Sequence, residues 1–300
     1  VNDDDLTFAK IRLDERSLAT LVDHVGDFAE SLPRALCWAA AWDMTRDAEM
    51  ATRDYGSLVQ RGIGRESDIG VVQSLLAQAR TAVAQYADPA WVPIGNASLA
   101  DSALTAVRTA DPGSDHQLAW ARTLGAVAAT DEQLDFLADL LNGTQQVDGL
   151  AVDTELRWLL LRRLVTMGRA DLPQVDAELE RDPTAAGQRH AATCRAARPT
   201  PAAKAEAWAS LVELDELPNA VQAAVITGFG TVEDLTLLEP FVEPYFEAIG
   251  RLWSERTNDV AQNLAVGLFP VRLVSPAGVE RTDAYLAAGD VPASLARLLL

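Results

Sequence analysis

Residues able to do chemistry are sparse in this sequence of 300 residues, and their spacing brings few of them together. The three histidines, His24, His116 and His190, stand apart, and none has a second histidine four residues away. No helix face therefore carries the H-E-x-x-H pair that binds zinc, and no Cys/His cluster has zinc spacing. Cys37 and Cys194 lie in separate Ala-rich stretches and read as two buried apolar thiols rather than a disulfide or a nucleophile. Gly62-Ile63-Gly64 and Gly228-Phe229-Gly230 lack the following Lys-Ser/Thr of a phosphate loop and read as helix ends. No G-x-S-x-G elbow occurs. Carboxylate pairs abound, but a chain with 44 acidic residues supplies them by chance, on solvated faces. No catalytic residue and no metal ligand is assigned.

Arg157 and Trp158 are the exception, because of the element that must carry them. The stretch from Gly149 to Gly168 reads as one helix, apolar nearly all round. Leu156, Leu159, Leu160, Leu164 and Met167 fill one arc, and Trp158, Leu161 and Val165 fill much of the opposite side. Only Glu155, Arg162 and Thr166 share a polar strip. Such a helix is buried among neighbours. Arg157 and Arg163 nevertheless fall inside the apolar arcs, and a guanidinium keeps its charge, so each must be paired or face a wet cavity. Asp153, four residues before Arg157, has the favourable spacing for an intrahelical ion pair, and Glu155 is also near. Pairing is the first expectation. The functional alternative is that Arg157 and Trp158 reach a cavity and meet a peptide carboxylate or backbone. Trp38 and Trp42, at i and i+4, read as core. Lys204 with Trp208, at the same spacing, reads as a stem snorkelling over an aromatic.

The composition is globular: 49% hydrophobic and 23% charged, with a net charge of -19. That charge repels phosphate backbones and no local basic patch offsets it, so nucleic acid is not expected as a partner. Only Lys10 and Lys204 are lysines. No apolar run is long enough to span a membrane, and the acidic N-terminus lacks a secretory signal. With two isolated cysteines, a reducing, cytoplasmic setting is expected.

Residues 1–13 form the one segment without helical character. Leu6, Phe8 and Ile11 suggest a short strand that would need an upstream sheet partner. From Asp14 to Leu300 helix signals recur. Asp47, Ser67 and Asp182 are expected N-caps, Asp182 with Pro183 at the first helical position. Ser114 with Gln117 and Thr130 with Gln133 read as capping boxes, and Gly143 as a C-cap. Further starts are expected at Asp171, Thr200 and near Pro292, and no helix is expected between Pro270 and Pro292. The fold class is all-α: about fifteen short helices in a HEAT- or armadillo-like superhelical array, with helix pairs every forty or so residues. The organisation is a strand or linker over 1–13 and a helical domain over 14–300. The absence of Met at the start and the uncapped Leu298-Leu299-Leu300 suggest a piece cut at both ends.

Several stretches, taken in order, resemble the last domain of bacterial aminopeptidase N of the actinobacterial type. They are Val1 to Ile11, Arg34-Ala35-Leu36-Cys37-Trp38 with Trp42-Asp43-Met44, Leu156-Arg157-Trp158, Arg181 to Gly187, and Lys204-Ala205-Glu206-Ala207-Trp208. The resemblance covers essentially the whole chain, and the C-terminal part of those enzymes is similar to that of endoplasmic-reticulum aminopeptidases. It implies a non-catalytic helical bowl that closes over the cleft of a zinc-dependent hydrolase and shapes a peptide chamber. The zinc motif, the general base and the substrate motif would lie upstream, with no cofactor in this chain. The implied partners are the upstream domains of the same polypeptide and a peptide substrate, with no nucleic acid and no membrane. A free-standing helical scaffold that binds a protein partner is the alternative, and a hydrolase using scattered carboxylates is a weaker third.

Overall fold

The computed structural model describes residue 6 and residues 9–214 and 216–300. Among the described residues the protein is all-helical, with sixteen α-helices and no strand. The strand expected within residues 1–13 falls largely outside the described residues. Those described there are non-helical and dock on the turn after the second helix, with Lys10 paired to Asp47 and Arg12 to Glu49. The chain divides into two compact units, 1–153 and 154–300.

The first unit holds α1 (Glu15–His24), α2 (Ser31–Arg46), α3 (Thr52–Gly62), α4 (Ile69–Thr81), α5 (Val92–Thr109), α6 (Asp115–Val127) and α7 (Asp131–Asn142). Its core is built on α3, whose Tyr55, Leu58 and Val59 are fully buried. The capping box of Thr130 and Gln133 forms in both halves, and Gly143 ends α7 in the left-handed conformation. Ser114 caps α6 through the Gln117 amide, while the Gln117 side chain accepts from Gly113. Two expected caps lie elsewhere. Asp68, not Ser67, accepts from the amides of Gly70 and Val71 at the start of α4. Ala51, not Asp47, precedes α3, because Asp47 instead ends α2 and takes Lys10.

The second unit holds α8 (Thr154–Thr166), α9 (Leu172–Arg181), α10 (Ala185–Ala197), α11 (Pro201–Val212), α12 (Asn219–Gly230), α13 (Val242–Glu255), α14 (Asn258–Gly267), α15 (Pro276–Ala287) and α16 (Ala293–Leu299). The central helix is shorter than the apolar stretch suggests, since Gly149–Asp153 is not helical. It buries Leu156, Trp158, Leu160, Leu161, Arg163, Leu164, Val165 and Thr166, as a helix apolar on nearly every side should. α10 packs against α8, α9, α11 and α12. Its approach to α12 is close: a Cβ on Gly228 would lie 2.2 Å from the Thr193 carbonyl oxygen. Asp182 does not cap α10; Thr184 does, through the Gly187 amide. The unexpected α15 starts on a Ser275 cap with Pro276 in its first turn. None of its residues is fully buried, so it offers little of the apolar periodicity by which helices are read.

Candidate functional site

The α8 residues singled out above are held by two neighbouring helices. Arg157 donates from Nε to Glu178 Oε1 at 2.7 Å and from Nη2 to Glu178 Oε2 at 2.6 Å, a bidentate charge-assisted pair between α8 and α9. That bond holds the guanidinium pKa above its ordinary value, against the opposing effect of burial. Arg157 is thus paired, and the partner seen is Glu178 of α9, which a helical wheel of α8 cannot reach, where the helical spacing named Asp153 or Glu155. Glu155 faces elsewhere, with its carboxylate 3.3 Å from His190 Nε2. The Arg157 side chain remains 21% exposed, whereas Glu178 is almost enclosed at 6%.

Trp158, 100° further round the helix, points into the unit and is 1% exposed. Its Nε1 donates to Asp182 Oδ2 at 2.9 Å, and its ring stacks on His190 of α10 with centroids 5.6 Å apart and an interplanar angle of 20°. Asp182 also accepts from the Thr184 hydroxyl at 2.7 Å. Together, that hydroxyl first and the Trp158 indole second, they hold the Asp182 carboxyl below the usual carboxylate value. Glu178 and Asp182 stand one turn apart at the end of α9, so two carboxylates serve two adjacent donors on α8. The Trp158 ring is enclosed by these partners, whereas Arg157 keeps an exposed edge. Arg163, the second arginine in an apolar arc, is paired with Glu233.

Lys204 departs furthest from expectation. It does not snorkel: the residue is 0% exposed. Its Nζ lies 2.7 Å from the Ala196 carbonyl oxygen, 3.1 Å from those of Gly228 and Phe229, and 3.3 Å from that of Thr231. The last carbonyls of a helix lack intrahelical partners and carry the negative end of its dipole, so they draw the amine inward. Burial pushes the amine down to about 8, which leaves ammonium the main form at neutral pH.

Sequence reasoning found Arg157 and Trp158 but missed Glu178, Asp182, the His190 stack and the Lys204 cage. One signal was readable: Glu178 and Asp182 are carboxylates at i and i+4, facing a helix that needed counter-charge. Both cysteines are free and buried, and burial pushes the Cys194 thiol up to about 12, which suppresses the nucleophilic thiolate. Among the described residues no group of three or more His, Cys, Asp and Glu side chains is placed to hold a metal ion. The site pairs, stacks and positions, and it brings no nucleophile to a base.

The model of the ERAP1-like C-terminal domain matches residues 1–300. The chain belongs to that family. Aminopeptidase N of Streptomyces lividans is 58% identical over 299 residues, which cover the whole of this chain and 35% of that protein. The ERAP1-like C-terminal domain described here thus spans about a third of its relative's length and corresponds to its C-terminal part. The expected resemblance is borne out over the full chain. No helix of the described residues is long and apolar enough to cross a membrane.

Proposed function

We propose that this chain is the non-catalytic C-terminal domain of a zinc-dependent aminopeptidase that removes N-terminal amino acids from peptides. The observation that carries the reading is the 58% identity to an aminopeptidase N along the entire chain. Hydrolysis is assigned to the rest of the polypeptide. This chain's described histidines, cysteines and carboxylates do not fit a zinc site, so no catalytic step is drawn through them. Its part is to cap the catalytic cleft and to line a peptide chamber, with the upstream domains as partners and peptide as ligand. The two free, buried cysteines suit a cytoplasmic enzyme.

Within this reading Arg157 is the chamber residue, because it keeps an exposed edge while Glu178 fixes its orientation. Trp158 supports it from behind. The test is made on the full-length protein, with zinc analysis and a fluorogenic aminoacyl substrate beside residues 1–300 alone. Turnover and stoichiometric zinc are expected only in the full-length protein, and robust turnover by residues 1–300 would overturn the assignment. In the full-length protein, Arg157→Ala and Trp158→Ala are expected to alter peptide-length preference with zinc content unchanged. An unchanged substrate profile accompanied by lost stability would make both residues core only.

A further inference from the structure

The Lys204 cage belongs to a larger arrangement that the proposed function leaves unused. Lys204 of α11 takes the carbonyls of Gly228, Phe229 and Thr231, together with Ala196 at the end of α10. Arg272, from the turn after α14, donates from Nη1 to the carbonyls of Gly230 at 3.2 Å and Val232 at 2.8 Å. Every backbone oxygen from 228 to 232 therefore rests on one of two cations. The next residue, Glu233, reaches back to α8 and pairs with Arg163, which is buried at 7%. Arg163 and Arg157 share one helix, so the turn held by Lys204 also holds the helix that carries the candidate site.

We infer that Lys204 is an internal cation latch: its ammonium on four carbonyl oxygens fixes the 228–233 turn where Glu233 grips Arg163 of α8. An ammonium has three protons for these four acceptors, and no neutral side chain of that length offers as many. Without the cation, the carbonyls of Ala196, Phe229 and Thr231 lose its hydrogen bonds, Gly228 keeps the Thr231 amide, and the turn is the part free to rearrange. The cage is then a site for an ammonium-type cation that donates hydrogen bonds, which the chain fills with its own side chain. Nothing in the latch depends on which bond the full protein hydrolyses.

The test is hydrogen exchange, read by mass spectrometry on the full-length protein. Lys204→Ala opens the cage to solution cations, and Lys204→Met fills it without charge. Both are expected to lose protection at residues 228–233 and around Arg163 in α8 by roughly tenfold, the cost of an unmade buried hydrogen bond. The first unit should be unchanged. Ammonium chloride should restore protection in the Ala variant and not in the Met variant, while sodium chloride at equal concentration should restore neither. The latch is overturned if α8 keeps its normal exchange while 228–233 loosens, or if ammonium and sodium act alike on the Ala variant. Should both Lys204 variants fail to fold, Glu233→Ala decides. Loss of α8 protection with 228–232 intact supports the latch, and unchanged α8 protection refutes it.

Discussion

Each unit sets an arginine and a tryptophan against carboxylate, and the two solve the problem differently. In the first, Arg34 and Trp38 lie one turn apart on α2 and converge on Glu66. Its Oε1 accepts from Arg34 Nε at 2.8 Å and from Trp38 Nε1 at 2.7 Å. Arg34 also donates to the Phe28 carbonyl at 2.6 Å, and His116 Nε2 lies 2.8 Å from the Glu66 backbone oxygen. In the second unit, Arg157 and Trp158 are adjacent in sequence and so point in different directions. Each needs its own carboxylate, Glu178 for one and Asp182 for the other. The first arrangement is closed, with Arg34 and Glu66 exposed by only 7% and 3%. The second leaves Arg157 at its edge. Donors at i and i+4 can share one buried acceptor and vanish into a core, whereas adjacent donors cannot. One of the two then stays near the surface, as Arg157 does with its side chain 21% exposed.

Substitutions that remove one carboxylate at a time test this difference. Glu66→Gln should be the most damaging, because it strands a buried guanidinium and weakens the Trp38 bond together. A loss of about 3–5 kcal/mol is expected in denaturant unfolding. Glu178→Gln should cost less, about 1–3 kcal/mol, since water reaches the exposed edge of Arg157. Equal losses would remove the distinction between a closed and an open site. Trp38→Phe and Trp158→Phe each delete one hydrogen bond to carboxylate and leave a gap where the buried indole packed, and should cost about 1.5–3 kcal/mol each. The Trp158 variant keeps an aromatic ring against His190, which should appear as a smaller but retained upfield shift of the His190 ring protons.

The smallest effect, one that disappears in strong acid, concerns Asp182. Its folded pKa lies below the ordinary value of 3.8, so its contribution is fully present above that value and is lost as pH falls through the folded pKa. Asp182→Asn should therefore be less stable than the parent at neutral pH, with the gap closing in strong acid. A gap constant across the urea midpoints of a pH series would assign Asp182 a packing role alone.

Most of the helical frame was legible in the sequence, because the signals that set it act within a turn of chain. The Thr130 and Gln133 box, the Gly143 stop and the Thr200 cap are all short-range hydrogen-bond or backbone effects. Asp182 shows the limit of that reading. Its sequence context, a carboxylate before Pro183, is that of a cap, yet the Trp158 indole from 24 residues away and the Thr184 hydroxyl take its oxygens. α15 shows another limit, since a helix that fully buries none of its residues leaves no periodic mark.

By itself the sequence determined an all-helical chain, a buried α8 and two arginines on it that demanded counter-charge. Desolvating a guanidinium is costly wherever it happens, so the demand could be read without knowing the fold. Which groups met it was decided only by tertiary structure. Glu178 lies 21 residues beyond Arg157 and Glu233 lies 70 beyond Arg163. The carbonyls that capture Lys204 stand up to 27 residues away. Lys204 shows the division most sharply. Its apolar stem announced burial of the stem alone, and only the meeting of two helix ends made the interior polar enough to hold the charge.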